Sequence, residues 1–141
     1  MIGSGGALPT NWGSSIPSGS TLEVIQTGTE SGFSFIDLKF SGTNSSGSTQ
    51  TFTIGFESST FITATSGQNW SGSCYVRLIA GSTANINDFN IDVTERTSSG
   101  VFIVNSTSSF IPSLSLQRVS HSRTLTDAGT ARINHRISWL S

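Results

Sequence analysis

The sequence predicts an all-β protein, an antiparallel β-sandwich with jelly-roll topology. Three observations carry this. Apolar residues recur at every second position, the period of a strand with one buried face, and not at the 3.6-residue period of a helix. The runs are short and recur at about ten-residue intervals, as in sandwiches and barrels. No segment has the length, caps and spacing of an amphipathic helix.

In chain order, residues 1–8 read as a flexible leader without the basic and apolar regions of a signal peptide. Residues 9–141 read as one sandwich domain. Leu22, Val24 and Gln26 alternate with Glu23, Ile25 and Thr27, and 33–40 follows as a second strand. The Ser/Gly stretch 41–48 is a hairpin loop. Phe52, Ile54 and Phe56 alternate with Thr51, Thr53, Gly55 and Glu57, and 60–65 is a further strand candidate. Beyond the turn residues 66–69, Cys74, Val76 and Leu78 oppose Tyr75, Arg77 and Ile79. Past 81–85, Phe89, Ile91 and Val93 oppose Asn90, Asp92, Thr94 and Arg96. Ser98–Gly100 turns the chain into 101–106; 114–119 and 122–126 are two more candidates, and Asp127–Gly129 is another turn. In 131–139, Ala131, Ile133, Ile137 and Trp139 oppose Arg132, Asn134, Arg136 and Ser138. The shared apolar phase predicts a core of Phe52, Ile54, Phe56, Val76, Leu78, Phe89, Ile91, Val93, Ile133 and Ile137.

Composition narrows the function classes. Of 141 residues, 28 are Ser and 18 Thr, only 11% are charged, and the net charge is −1. Seven basic residues give no patch of the size that phosphate neutralisation demands, which argues against nucleic acid as a partner. No stretch approaches the ~18 apolar residues of a spanning helix, so no membrane partner is expected. One Cys excludes a disulfide framework and a Cys-based zinc site. Lys39 is the only lysine, although sheets commonly guard their edges with lysine. The edges are either closed on themselves or covered by a neighbouring chain.

Catalytic chemistry is not written in the chain. There is no G-x-S-x-G elbow, so no enzyme is predicted. His121 lies between Ser120 and Ser122 and reads as a solvated turn histidine; His135, in phase with Ile133 and Ile137, reads as partly buried and satisfied. Cys74 reads as a small packed hydrophobe. No cofactor is expected, and a structural calcium held by loop carbonyls with Asp88, Asp92 or Asp127 is left open. What remains is a surface. The polar phases concentrate Tyr75 and Arg77, Asp92 and Arg96, and Arg132, Asn134 and Arg136, with Asp37 and Lys39 joining if they share that side. Planar amide, carboxylate and guanidinium groups suit the paired hydroxyls of a sugar, because they make two bonds in a fixed plane. Trp12 and Trp70, in turn-rich contexts, could offer a ring to a pyranose.

Several segments carry a family resemblance: Leu8–Trp12, Val24–Gly32, Gly67–Leu78, Thr94–Arg96, Leu116–Val119 and Arg123–Thr126. Together they resemble a jelly-roll module of the carbohydrate-binding, galactose-binding-like type. This version recurs in structural proteins of tailed bacteriophages. The resemblance implies a non-enzymatic virion module, on a tail fibre or the capsid exterior, that mediates assembly; the alternative is a module recognising host-surface glycan. It also implies a homo-oligomer, possibly a trimer, with other virion proteins as partners. Such modules run on to one more strand ending near an acidic residue, whereas this chain stops at Ser141.

Overall fold

The computed structural model describes residues 5–44, 46–60 and 62–141, and among them it forms strands and no helix. The strands are β1 (Gly13–Ser15), β2 (Ser20–Glu30), β3 (Phe33–Gly42), β4 (Thr51–Gly55), β5 (Ile62–Thr63), β6 (Asn69–Val76), β7 (Asn87–Arg96), β8 (Phe102–Ser109), β9 (Gln117–Thr124) and β10 (Arg132–Leu140). One layer is the antiparallel sheet β1-β4-β10-β7-β8, with β5 also paired to β10. The facing layer is made of two antiparallel ribbons, β2–β3 and β6–β9. The result is an antiparallel jelly-roll sandwich, as the alternation predicts.

The β2–β3 turn shows how local chemistry sets register. Ser31 and Gly32 both have positive φ, 51° and 84°, the geometry of a two-residue hairpin turn that matches strand twist. A register shift between Val24 and Gln26 leaves Ile25 outside the ladder.

The core has two parts. Phe52, Ile54 and Trp139 form an aromatic cluster, onto which Leu22, Leu38 and Phe40 of the β2–β3 ribbon pack. Phe52 stacks on Trp139 at 5.4 Å and Phe40 meets the indole edge-on at 4.4 Å. Truncating such a buried indole typically costs about 3–5 kcal/mol. The second cluster is Ala64, Val93, Leu125 and Ile133, with Ile62 and Trp70 against it. Of the predicted core, Phe52, Ile54, Ile91, Val93 and Ile133 are buried, while Phe56, Val76, Leu78, Phe89 and Ile137 are half-buried. Val119 and Leu125 are buried although the alternation did not select them.

Two segments depart from the sequence reading. Residues 114–119 and 122–126 are not two strands: Gln117–Thr124 is one, because Ser120, His121 and Ser122 continue the ladder opposite Ser73, Gly72 and Ser71. Pairing overrides their turn-like composition. Of the leader, 1–4 lie outside the described residues, while Gly5 lies so close to β2 that a Cβ on it would sit 2.7 Å from the Val24 carbonyl oxygen. Phe61, in the strand candidate 60–65, also lies outside the described residues.

Candidate functional site

The period of two sorts the side chains of β7 and β10 onto opposite faces of the six-stranded sheet. Ile91, Val93, Glu95, Ile133, His135 and Ile137 point between the layers. Asp92, Thr94, Arg96, Arg132, Asn134 and Arg136 point to the outer face. The register sets the outer residues in three cross-strand rungs: Arg132 opposite Arg96, Asn134 opposite Thr94, and Arg136 opposite Asp92. At the strand rise of about 3.3–3.4 Å per residue the rungs span about 13 Å, long enough for a short oligosaccharide.

Hydrogen bonds lock this face. Arg136 Nε donates to Asp92 Oδ1 at 3.0 Å and Thr94 Oγ1 donates to the same oxygen at 2.8 Å. Arg96 Nε donates to Asn134 Oδ1 at 2.6 Å, and its Nη1 to the Gly100 carbonyl at 2.9 Å. Arg132 Nη1 donates to Thr63 Oγ1 at 2.6 Å. Asp92, Thr94 and Asn134 are buried beneath the arginine arms, yet Asp92 Oδ2 and Arg132 Nε are buried without a partner. The turn after β7 closes one side, since a Cβ on Gly100 would lie 2.9 Å from Ser59 Oγ. Burial depresses the Arg96 pKa and the Arg136 charge adds to this, with Asp92 opposing.

Of the residues singled out from sequence, five therefore meet: Asp92, Arg96, Arg132, Asn134 and Arg136. Four do not. Tyr75 and Arg77 project from β6 on the outside of the other layer, where Tyr75 lies 5.5 Å from Phe33 and Arg77 makes two bonds to Glu30, 3.2 and 2.7 Å long. Trp12 and Trp70 offer no free ring platform. Trp12 is half-buried 4.9 Å from Phe56, and Trp70 lids the second core cluster while its indole N–H donates to Gln68 Oε1 at 3.2 Å. Apolar area outweighs the turn-like sequence around both rings. Asp37 and Lys39 belong to the β2–β3 ribbon, bonded to Gln26 and Glu23.

The space between the layers holds polar residues that alternation concealed. Glu95 is fully buried in the phase of Ile91 and Val93, and a charged residue at that position was the available signal. Its carboxylate accepts from Arg123 Nε at 2.6 Å, Thr130 Oγ1 at 2.5 Å and the Asp127 N–H at 3.2 Å. Burial opposes its charge, but these bonds and the Arg123 charge outweigh that and hold its pKa below 4.5. His121 is not a solvated turn residue: its ring faces inward between Ser106 Oγ at 2.8 Å and Ser108 Oγ at 2.7 Å. His135 is half-buried against Gly72, with no partner for Nε2, so it is not satisfied as the sequence suggested. Burial depresses both histidine pKa values. Cys74 is half-buried, and burial pushes its thiol up to about 11, which leaves it inert.

Comparison with known proteins bears on the fold. A solved structure of a family 11 carbohydrate-binding module, from the cellulosomal cellulase Lic26A-Cel5E of Clostridium thermocellum, is similar, with a TM-score of 0.54 and 14% identity. The match covers 96% of this chain and 85% of that one. At this identity the likeness establishes a shared jelly-roll sandwich fold and no more. No family model matches the chain, and no curated protein matches it.

Proposed function

We propose that this is a non-catalytic carbohydrate-binding domain whose ligand lies across the outer face of the six-stranded sheet. The observation that carries this is the three-rung array of Asp92, Thr94, Arg96, Arg132, Asn134 and Arg136 on adjacent central strands. Guanidinium groups fixed on a rigid sheet by the buried Asp92, Thr94 and Asn134 meet vicinal hydroxyls at set spacing, and holding them in advance lowers the entropic cost of binding. The shared fold with a module whose description names carbohydrate binding is consistent with this use. A glycan array followed by calorimetry tests it. Binding is expected, and Arg96→Gln should weaken it by about tenfold, the loss of one or two charge-assisted bonds. Tyr75→Ala should leave it unchanged. Silence on the array, or dependence on Tyr75 and not Arg96, refutes the reading.

A second reading, a subunit that assembles with copies of itself or with virion proteins, draws on one end of the sandwich. Ile79, Ile111, Leu114 and Leu116 are all more than half exposed there, on loops joined by the Leu78 N–H to Ser113 carbonyl bond. Such patches mark contact surfaces. The match found is to a cellulase module and not to a virion protein, so this reading stands second. Light scattering at a multiple of 14.8 kDa supports it, and a stable monomer removes it.

A further inference from the structure

Charge on the outer face does not balance. Elsewhere Lys39 pairs with Glu23, Arg77 with Glu30 and Arg123 with Glu95, while the exposed Arg118 bonds the Ser73 hydroxyl. Of the three arginines on the outer face, only Arg136 pairs with a carboxylate, Asp92. Arg96 and Arg132 stand directly opposite each other across the β7–β10 ladder with no carboxylate between them. Like charges in that relation destabilise a sheet. Burial makes the arrangement costlier, because partly desolvated guanidinium groups are poorly screened.

The donors left over point outward from this pair. Arg96 uses Nε and Nη1 on Asn134 and Gly100, and Arg132 uses Nη1 on Thr63. The hydrogen bonds among the described residues leave Arg96 Nη2 and Arg132 Nη2 unused, and Arg132 Nε is buried without a partner. An acceptor carrying negative charge satisfies both deficits at once. It supplies the missing counter-charge and takes forked N–H bonds in the plane each guanidinium dictates.

We propose that the saccharide bound on this face is acidic, with a carboxylate or sulfate seated between Arg96 and Arg132. This rests on the carbohydrate-binding reading and adds the class of sugar. A neutral glycan would leave Arg96 and Arg132 without a counter-charge, whereas an acidic one supplies it. The hydroxyl-rich remainder of the ligand then runs along the face toward Arg136.

Calorimetry with three probes tests this on the full chain: an oligogalacturonate, a chondroitin sulfate oligosaccharide and a neutral cello-oligosaccharide. One or both acidic probes should bind at least about tenfold more tightly than the neutral one, and weaken as salt rises. Which of the two binds distinguishes carboxylate from sulfate. Arg132→Gln should remove most of that preference, while Arg118→Gln, an exposed arginine on β9, should not. Salt dependence of the unmodified chain gives a readout that does not depend on how Arg132→Gln folds. Neutral binding that matches acidic binding and is insensitive to salt and to Arg132 overturns the acidic assignment and leaves the carbohydrate reading standing. No binding to any saccharide overturns both.

Discussion

Replacing Glu95 by Gln changes one atom in shape and removes the negative charge that pairs with Arg123 between the layers. The carboxylate ties three parts of the chain together: β7, β9 through Arg123, and the turn at Asp127–Thr130. A Gln side chain keeps one acceptor oxygen and presents an NH2 to groups that are themselves donors. Thr130 can rotate its hydroxyl to accept, but Arg123 and the Asp127 N–H cannot. Removing one partner of a buried ion pair costs about 3–5 kcal/mol. The Arg123 side chain keeps 15% exposure, so its stranded charge is partly solvated and the low end, about 3 kcal/mol, applies. For a chain of this size that corresponds to a Tm lower by about 10 °C. Urea titration should show the midpoint falling with an unchanged slope. The effect also depends on pH. The folded pKa of Glu95 lies below its ordinary 4.5, so its stabilisation is complete above that value and is lost as pH falls through the folded pKa. The gap between wild type and Glu95→Gln should therefore close in acid. A variant that melts within about 1 °C of wild type, or a gap that persists unchanged in acid, refutes the reasoning.

Two other perturbations probe the same interlayer space. Gly72→Ala would place a methyl 2.6 Å from His135 Nε2 and 2.8 Å from its Cγ. Overpacking should cost about 1–3 kcal/mol, more than the ~0.4–1 kcal/mol that Ala contributes through the unfolded chain. His135→Ala in the same chain should recover the difference; Gly72→Ala as stable as wild type would place the ring elsewhere. His121 and His135 have folded pKa values below the ordinary 6.5, so the unfolded chain takes up protons first as pH falls. Stability should be level above about pH 7 and decline below about pH 6.5, before Glu95 titrates. A denaturation midpoint unchanged between about pH 7.5 and about pH 5.5 contradicts this.

Alternation made the sandwich legible because every long strand buries one face. It also placed Asp92, Arg96, Arg132, Asn134 and Arg136 on one phase of two strands, so their meeting across a ladder was within reach of the sequence. What alternation could not supply was which strands pair, and hence that Tyr75 and Arg77 lie on the other layer. Trp12 and Trp70 were misjudged because local turn chemistry says nothing of the apolar area waiting at the ends of the core. Glu95 and His121 escaped notice for a related reason. A buried polar residue is tolerated only when distant partners satisfy it, and Arg123, Thr130, Ser106 and Ser108 come together only in the fold.

The claim that a saccharide lies on the outer face of the six-stranded sheet is tested most directly by amide chemical-shift mapping. An isotope-labelled full chain is titrated with whichever oligosaccharide binds in calorimetry. The account predicts saturable shifts concentrated at Asp92–Arg96 and Arg132–Arg136, with Phe33 and Tyr75–Ile79 unmoved. Shifts confined to Phe33 and Tyr75–Ile79, on the opposite layer, contradict it.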